Sequence, residues 1–167
     1  MDSSLSWGPH IEYSVRNANT KLWLLIRFKN LGATQEQLLT LYQLKIRCLL
    51  EFAAPAFHGA LTNEQSNNLE MIQRKAFAII LGANYRSYNN ALEVLSQNTL
   101  NTRRQNLCET FALKCIKNPR HQDLFKVNPR YTINSRNKNK YLEPKCLTSR
   151  YYKSAVPYLT RILNNIK

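Results

Sequence analysis

Four glycines in 167 residues, at positions 8, 32, 59 and 82, divide the first half of the chain into intervals of 24, 27 and 23 residues. This spacing constrains the fold more than any other feature, because the sequence between the glycines has helical periodicity and each interval fits one long helix with its turn. Pro9 opens the first at a position where its missing N–H is harmless, and Ile11, Val15, Ala18, Leu22 and Leu25 recur at three- and four-residue steps toward Asn30, Leu31 and Gly32. Thr34 with Gln37 predicts a capping box for the second. Leu38, Leu41, Tyr42, Leu49 and Ala53 form its apolar stripe, and Pro55 is expected to stop it near Ala54. Thr62 with Gln65 repeats the capping box. Leu69, Ile72, Ala76, Ile79 and Ile80 then lead to Gly82, expected as a left-handed C-terminal cap. Short connections between such helices imply three antiparallel neighbours.

Beyond Gly82 the pattern predicts a short helix over about 89–95 and a longer one over about 99–118, stopped by Pro119. Leu100, Leu107, Phe111, Leu113 and Cys115 give the longer helix an apolar side, and Arg103, Arg104, Lys114 and Lys117 give it a basic one. Residues 120–150 lack periodicity and are rich in Asn, Pro and basic side chains, which predicts a mobile basic loop. A final short helix is expected over 156–166, with Leu159, Ile162 and Ile166 on one face. The expected architecture is therefore all-α: an antiparallel helical bundle of about five helices with an irregular basic C-terminal arm. Its parts are a bundle over 1–118, a flexible basic arm over 119–151 and a short helix over 152–167.

Charge is distributed unevenly along this architecture. Residues 1–83 carry a net of +2 and residues 84–167 a net of +12, out of a total of +14. The first half is ordinary and the second has the composition of a polyanion binder. With 44% apolar and 20% charged residues the chain has the makings of a core. Its longest apolar runs, 22–26 and 76–81, fall far short of the roughly 20 residues of a membrane span, so no membrane partner is expected. Asp2 stands where a signal peptide needs basic residues and no apolar segment follows it, which predicts an intracellular protein. Cys48, Cys108, Cys115 and Cys146 then read as reduced thiols.

Catalytic and cofactor chemistry finds little support. The ten acids are scattered, without the clustered carboxylates of two-metal phosphoryl transfer, and there is no glycine-rich phosphate loop. Cys108, Cys115, His121 and Cys146 lie seven, six and twenty-five residues apart, which is not knuckle spacing for zinc. Cys108 and Cys115 share a helix face one heptad apart and read as small core residues, so no cofactor and no metal site is expected. The positive signal is the interleaving of Phe125, Arg130, Tyr131, Arg136, Lys138, Lys140, Tyr141, Lys145, Arg150, Tyr151, Tyr152 and Lys153. Such cations neutralise phosphates while the rings offer stacking faces to unpaired bases.

A resemblance runs through the same residues. Asp2 to Trp7, with His10 and Ile11, is similar to the D-S-x-L-S-W-x-x-H-I that follows the last palm strand in jockey-type non-LTR retrotransposon reverse transcriptases. Leu50-Glu51-Phe52-Ala53-Ala54-Pro55, Leu69-Glu70-x-Ile72-Gln73-Arg74-Lys75-Ala76 and Ile79-Ile80-Leu81-Gly82 resemble the helical region beyond it. Tyr85-Arg86-Ser87-Tyr88, Thr99-Leu100-x-x-Arg103-Arg104, Leu107-Cys108-x-x-Phe111-Ala112-x-Lys114 and 157–164 continue the likeness in order over nearly the whole chain. The family's polymerase signature, an aromatic residue, alanine and two aspartates, has no counterpart here. The resemblance implies a thumb-like, C-terminal fragment of an RNA-directed DNA polymerase, a truncated reading frame or host-gene remnant that is not an enzyme on its own.

Such a thumb would hold a nucleic-acid duplex or single strand by its backbone. The candidate contacts are Arg74, Lys75, Arg103, Arg104, Lys114, Lys117, Arg136, Lys138 and Lys140. The alternative is an inert helical interaction module or a remnant without function, with a protein partner on an exposed apolar face.

Overall fold

The computed structural model describes residues 6–129, 131 and 139–166. Among them the chain is all-α, with no strand beyond a single antiparallel bridge between Val127 and Tyr141. The helices are α1 (Gly8–Asn30), α2 (Gln35–Tyr42), α3 (Cys48–Glu51), α4 (Ala54–Phe57), α5 (Asn63–Leu81), α6 (Tyr88–Val94), α7 (Leu100–Lys117), α8 (Ser149–Lys153) and α9 (Ala155–Asn165). They divide into two compact units. Unit 1 comprises the chain up to Phe52 together with Leu61–Arg103, and unit 2 comprises Ala53–Ala60 together with the chain from Arg104 onward.

Unit 1 is built on the three glycine-spaced helices. Ile11, Ser14, Ala18, Leu22 and Leu25 face inward from α1, which ends at Gly32 (φ +84°). There the Ala33 N–H donates to the Phe28 carbonyl and the Gly32 N–H to the Lys29 carbonyl, the paired bonds of a Schellman turn. Both predicted capping boxes are present, Thr34 with Gln37 and Thr62 with Gln65. Helices α1 and α5 run side by side in the same direction. A methyl added at Gly8 would lie 3.8 Å from the Gln65 amide near their starts, and the Lys29 ammonium donates to the Ile79 and Ile80 carbonyls near their ends. That ammonium neutralises the negative end of α5 just where Gly82 (φ +57°, ψ −122°) takes the chain away. The positive φ agrees with expectation, but this ψ lies outside the left-handed helical region.

The second interval departs from a plain helix. A π turn over Gln43–Arg47 joins α2 to α3. Tyr42, Ile46 and Leu50 are all fully buried at four-residue steps. An unbroken α-helix would rotate such positions by about 40° per step, and the wider turn removes that drift. The helix ends at Glu51 rather than near Ala54, because Ala53 adopts a left-handed conformation (φ +59°) and Pro55 starts α4 instead of stopping its predecessor. Proline lacks a donor that a first turn does not use, so it serves as well at a start as after an end.

Unit 2 packs around Cys108, Ala112 and Cys115 of α7, Leu159 and Leu163 of α9, and Phe125 and Tyr141. The two units divide at Arg103 and Arg104 rather than at 118, and the described residues beyond 118 are not all free of the core. Phe125 and Tyr141 enter the core, and the Asn128 and Leu142 N–H groups donate across to the Lys140 and Lys126 carbonyls, each at 2.8 Å. Asn164 holds Tyr141 on both sides, accepting from its N–H at 2.9 Å and donating to its carbonyl at 3.0 Å. Thus α9 clamps Tyr141, within the expected arm. Helix α9 presents Pro157, Leu159, Thr160 and Leu163 to the core, and Ile166 stays exposed. The turn carrying Gly59 belongs here too, since a methyl on it would lie 2.6 Å from the Tyr158 ring.

Candidate nucleic-acid interface

The nominated cations separate into four environments. Arg104 is fully buried on the inward stripe of α7, in phase with Leu100, Cys108 and Ala112, so its guanidinium cannot meet a phosphate. Of the basic side expected for α7, Arg104 alone turns fully inward, whereas Lys114 and Lys117 are exposed. Of the expected apolar side Leu100 and Cys115 are buried, as is Cys108, but Leu107, Phe111 and Leu113 are exposed and Ala112 takes an inward place. The second environment is an ion pair. Arg103 donates from Nε and Nη2 to both carboxylate oxygens of Glu51, with 3.1 Å for the Nη2 contact, and this carboxylate holds the guanidinium still more firmly protonated.

In the third environment, on α5, Arg74 and Lys75 are exposed but engaged. The Arg74 guanidinium carbon lies 4.9 Å over the Tyr88 ring, and Lys75 donates to Asn19 Oδ1 at 3.4 Å. Lys114, Lys117 and Lys140 form the fourth group, exposed on unit 2, with Lys140 Nζ 5.7 Å from the Tyr141 ring centre. Arg136 and Lys138 lie outside the described residues.

Unit 2 brings further cations to its surface. Arg120, Lys126, Lys145, Arg150 and Lys153 are exposed on this unit, as are Lys114, Lys117 and Lys140, against exposed Asp123 and Glu143. Arg161 stacks 3.8 Å over Tyr152 and donates to that residue's carbonyl at 2.9 Å. The arrangement offers phosphates a set of cations that, among the described residues, make no ion pair with a carboxylate. Among the described residues no three His, Cys, Asp or Glu side chains are placed to hold a metal ion. All four cysteines are free thiols, with Cys108 and Cys115 in the core, and burial pushes the Cys108 thiol up to about 12. Among the described residues no helix is long and apolar enough to cross a membrane.

His58 sits beneath this surface with its Nδ1 buried and its ring edge-on to Tyr158 at 5.7 Å. Burial, reinforced by the Arg104 charge, pushes it from 6.5 down to about 4. The folded state therefore disfavours the imidazolium. Stability is complete above pH 6.5 and is lost as pH falls toward 4, where the unfolded chain binds a proton that the folded chain does not. Discounted for the ring's partial exposure, the loss should be about 1–2 kcal/mol. Denaturation midpoints at pH 7 and pH 4.5 measure it, and His58→Gln should shrink the difference.

No protein family, no curated protein and no solved structure matches the chain. Sequence reading passed over the outward side of α1, where Tyr13 and Trp23 are 59% and 56% exposed. Their three- and four-residue steps were visible, but only the buried stripe of that helix was read.

Proposed function

We propose that the chain is a thumb-like, non-catalytic fragment of non-LTR retrotransposon reverse-transcriptase type that binds nucleic acid through its sugar-phosphate backbone with little sequence preference. The ordered motifs from Asp2 to Asn164 support the lineage, and the surface of unit 2 supports the activity. The observation that carries the reading is the exposure, among the described residues of unit 2, of eight lysines and arginines against two exposed acids. Backbone contacts of this kind position a protein without specifying sequence. The chain supplies only two aspartates, Asp2 and Asp123, far apart in sequence, so the paired metal ligands of a polymerase must come from elsewhere.

Binding to a mixed-sequence duplex titrated over a range of salt tests this. With about five phosphates contacted, log affinity should fall against log salt with a slope of roughly 4 to 5 in magnitude, at about 0.9 per phosphate. A flat salt profile would dispose of the reading. A second reading, a helical interaction module, is favoured by a separate observation: Leu107, Phe111 and Leu113 lie exposed along α7. Sedimentation equilibrium that gives association without nucleic acid would support it.

A further inference from the structure

Helix α1 carries two stripes. The inward one is Ile11, Ser14, Ala18, Leu22 and Leu25. The outward one, at steps of three, four, three and four, is Tyr13, Arg16, Thr20, Trp23 and Arg27, every member exposed. Its order repeats: an aromatic ring followed one turn later by an arginine, then a second ring followed one turn later by a second arginine. In the second pair the Arg27 guanidinium carbon lies 5.1 Å over the Trp23 ring. The two rings are ten residues, about 15 Å, apart along the helix.

We propose that this stripe is a track for single-stranded nucleic acid, separate from the basic surface of unit 2. Each station supplies a flat face for an unpaired base and a cation for its neighbouring phosphate, the pairing that single-strand readers use without sequence preference. Charge complementarity favours a polyanion over an apolar helix. The stripe holds two arginines and no acid, and α1 as a whole carries Arg16, Lys21, Arg27 and Lys29 against Glu12 alone. A third cation borders it. Arg16 and Lys75 line one groove between α1 and α5, with Lys75 3.4 Å from Asn19 one turn before Trp23. The acids of that groove, Glu12 and Glu64, lie toward its other end with Gly8 and Thr62. A duplex would use the unit 2 cations and leave these rings idle, because its bases are stacked on one another.

The test uses the full chain and its own reporter. Trp7 and Trp23 are the two tryptophans, so Trp7→Phe leaves Trp23 as the sole indole. Titration with an oligothymidylate of about 20 nucleotides should quench that fluorescence, and a duplex of equal charge should not. In anisotropy measurements with labelled oligonucleotide, Tyr13→Ala and Trp23→Ala should each weaken single-strand binding by roughly fivefold to a hundredfold. Trp23→Phe should retain most of the affinity, and duplex affinity should be unchanged in all three. Circular dichroism checks that these exposed substitutions leave the helices intact. Oligothymidylate that binds without quenching, or that binds the alanine variants as tightly, overturns the track, as does absence of single-strand binding at low salt. Loss of duplex binding in unit 2 variants, with Trp23 quenching intact, would bear on the proposed function alone.

Discussion

Replacing Gln73 with leucine should destabilise unit 1 by about 2–4 kcal/mol, a large part of the 5–15 kcal/mol that holds a domain of this size together. The side chain is 1% exposed and joins three elements. Its carbonyl accepts from the hydroxyl of Tyr42, which is itself fully buried, and its amide donates to the Tyr88 hydroxyl and to the Asn98 carbonyl, each at 2.9 Å. Burial holds the phenol of Tyr42 well above its ordinary range, so that hydroxyl stays protonated and remains a donor in need of an acceptor. Leucine fills a similar volume and satisfies none of the three groups. Tyr88 fares best, because it still donates to Glu70, which also accepts from the Leu100 N–H at the start of α7. The cost thus comes mainly from the fully buried Tyr42 hydroxyl left without its acceptor, at about 1–3 kcal/mol, with the bond to the exposed Asn98 adding about 1 kcal/mol. Urea unfolding should show a lower midpoint at unchanged slope. The double variant Tyr42→Phe with Gln73→Leu should recover part of the loss, since removing both partners leaves less unsatisfied. Strict additivity of the two single variants would show that the hydrogen bond contributes nothing.

That network was not legible in the sequence, and the reason is instructive. Gln73 lies at an inward position between Ile72 and Ala76, where helical periodicity shows its phase but not its partners, and the partners come from 31 residues upstream and 15 and 25 residues downstream. What was legible is local chemistry. The capping boxes at Thr34 and Thr62, the proline start of α1 and the glycine turn at Gly32 depend only on neighbours within a turn, and each appears as expected. The failures occurred where two local solutions compete. Pro55 can follow a helix or begin one, and the left-handed Ala53 decides for the second. On α7, Leu107 and Phe111 compete with Cys108 and Ala112 for the inward face, and the small pair is the one buried. Arg104 followed that register inward, taking a nominated contact off the surface. The clamp of Asn164 on Tyr141 spans 23 residues and draws a polar, aperiodic segment into a core that its composition did not advertise.

The same placements sharpen the binding prediction. Changing Lys114, Lys117, Lys126 and Lys140 together to glutamine should weaken duplex binding about a hundredfold to a thousandfold near 0.1 M salt and flatten the salt slope by roughly 2 to 4. All four are exposed and belong to one unit, and among the described residues none makes an ion pair with a carboxylate. The substitution keeps their length and polarity while removing charge, so the core of Cys108, Phe125, Tyr141 and Leu163 should persist, as a thermal midpoint within a few degrees would show. Deleting 120–150 would be a poorer experiment, because it would take Phe125 and Tyr141 out of that core. Arg103→Gln supplies the contrast. Its guanidinium is already bound to both oxygens of Glu51, so its loss should lower stability and leave the salt slope unaltered. A quadruple variant that keeps the full slope would remove unit 2 as the binding surface, and an Arg103 variant that flattens it would move that surface onto unit 1.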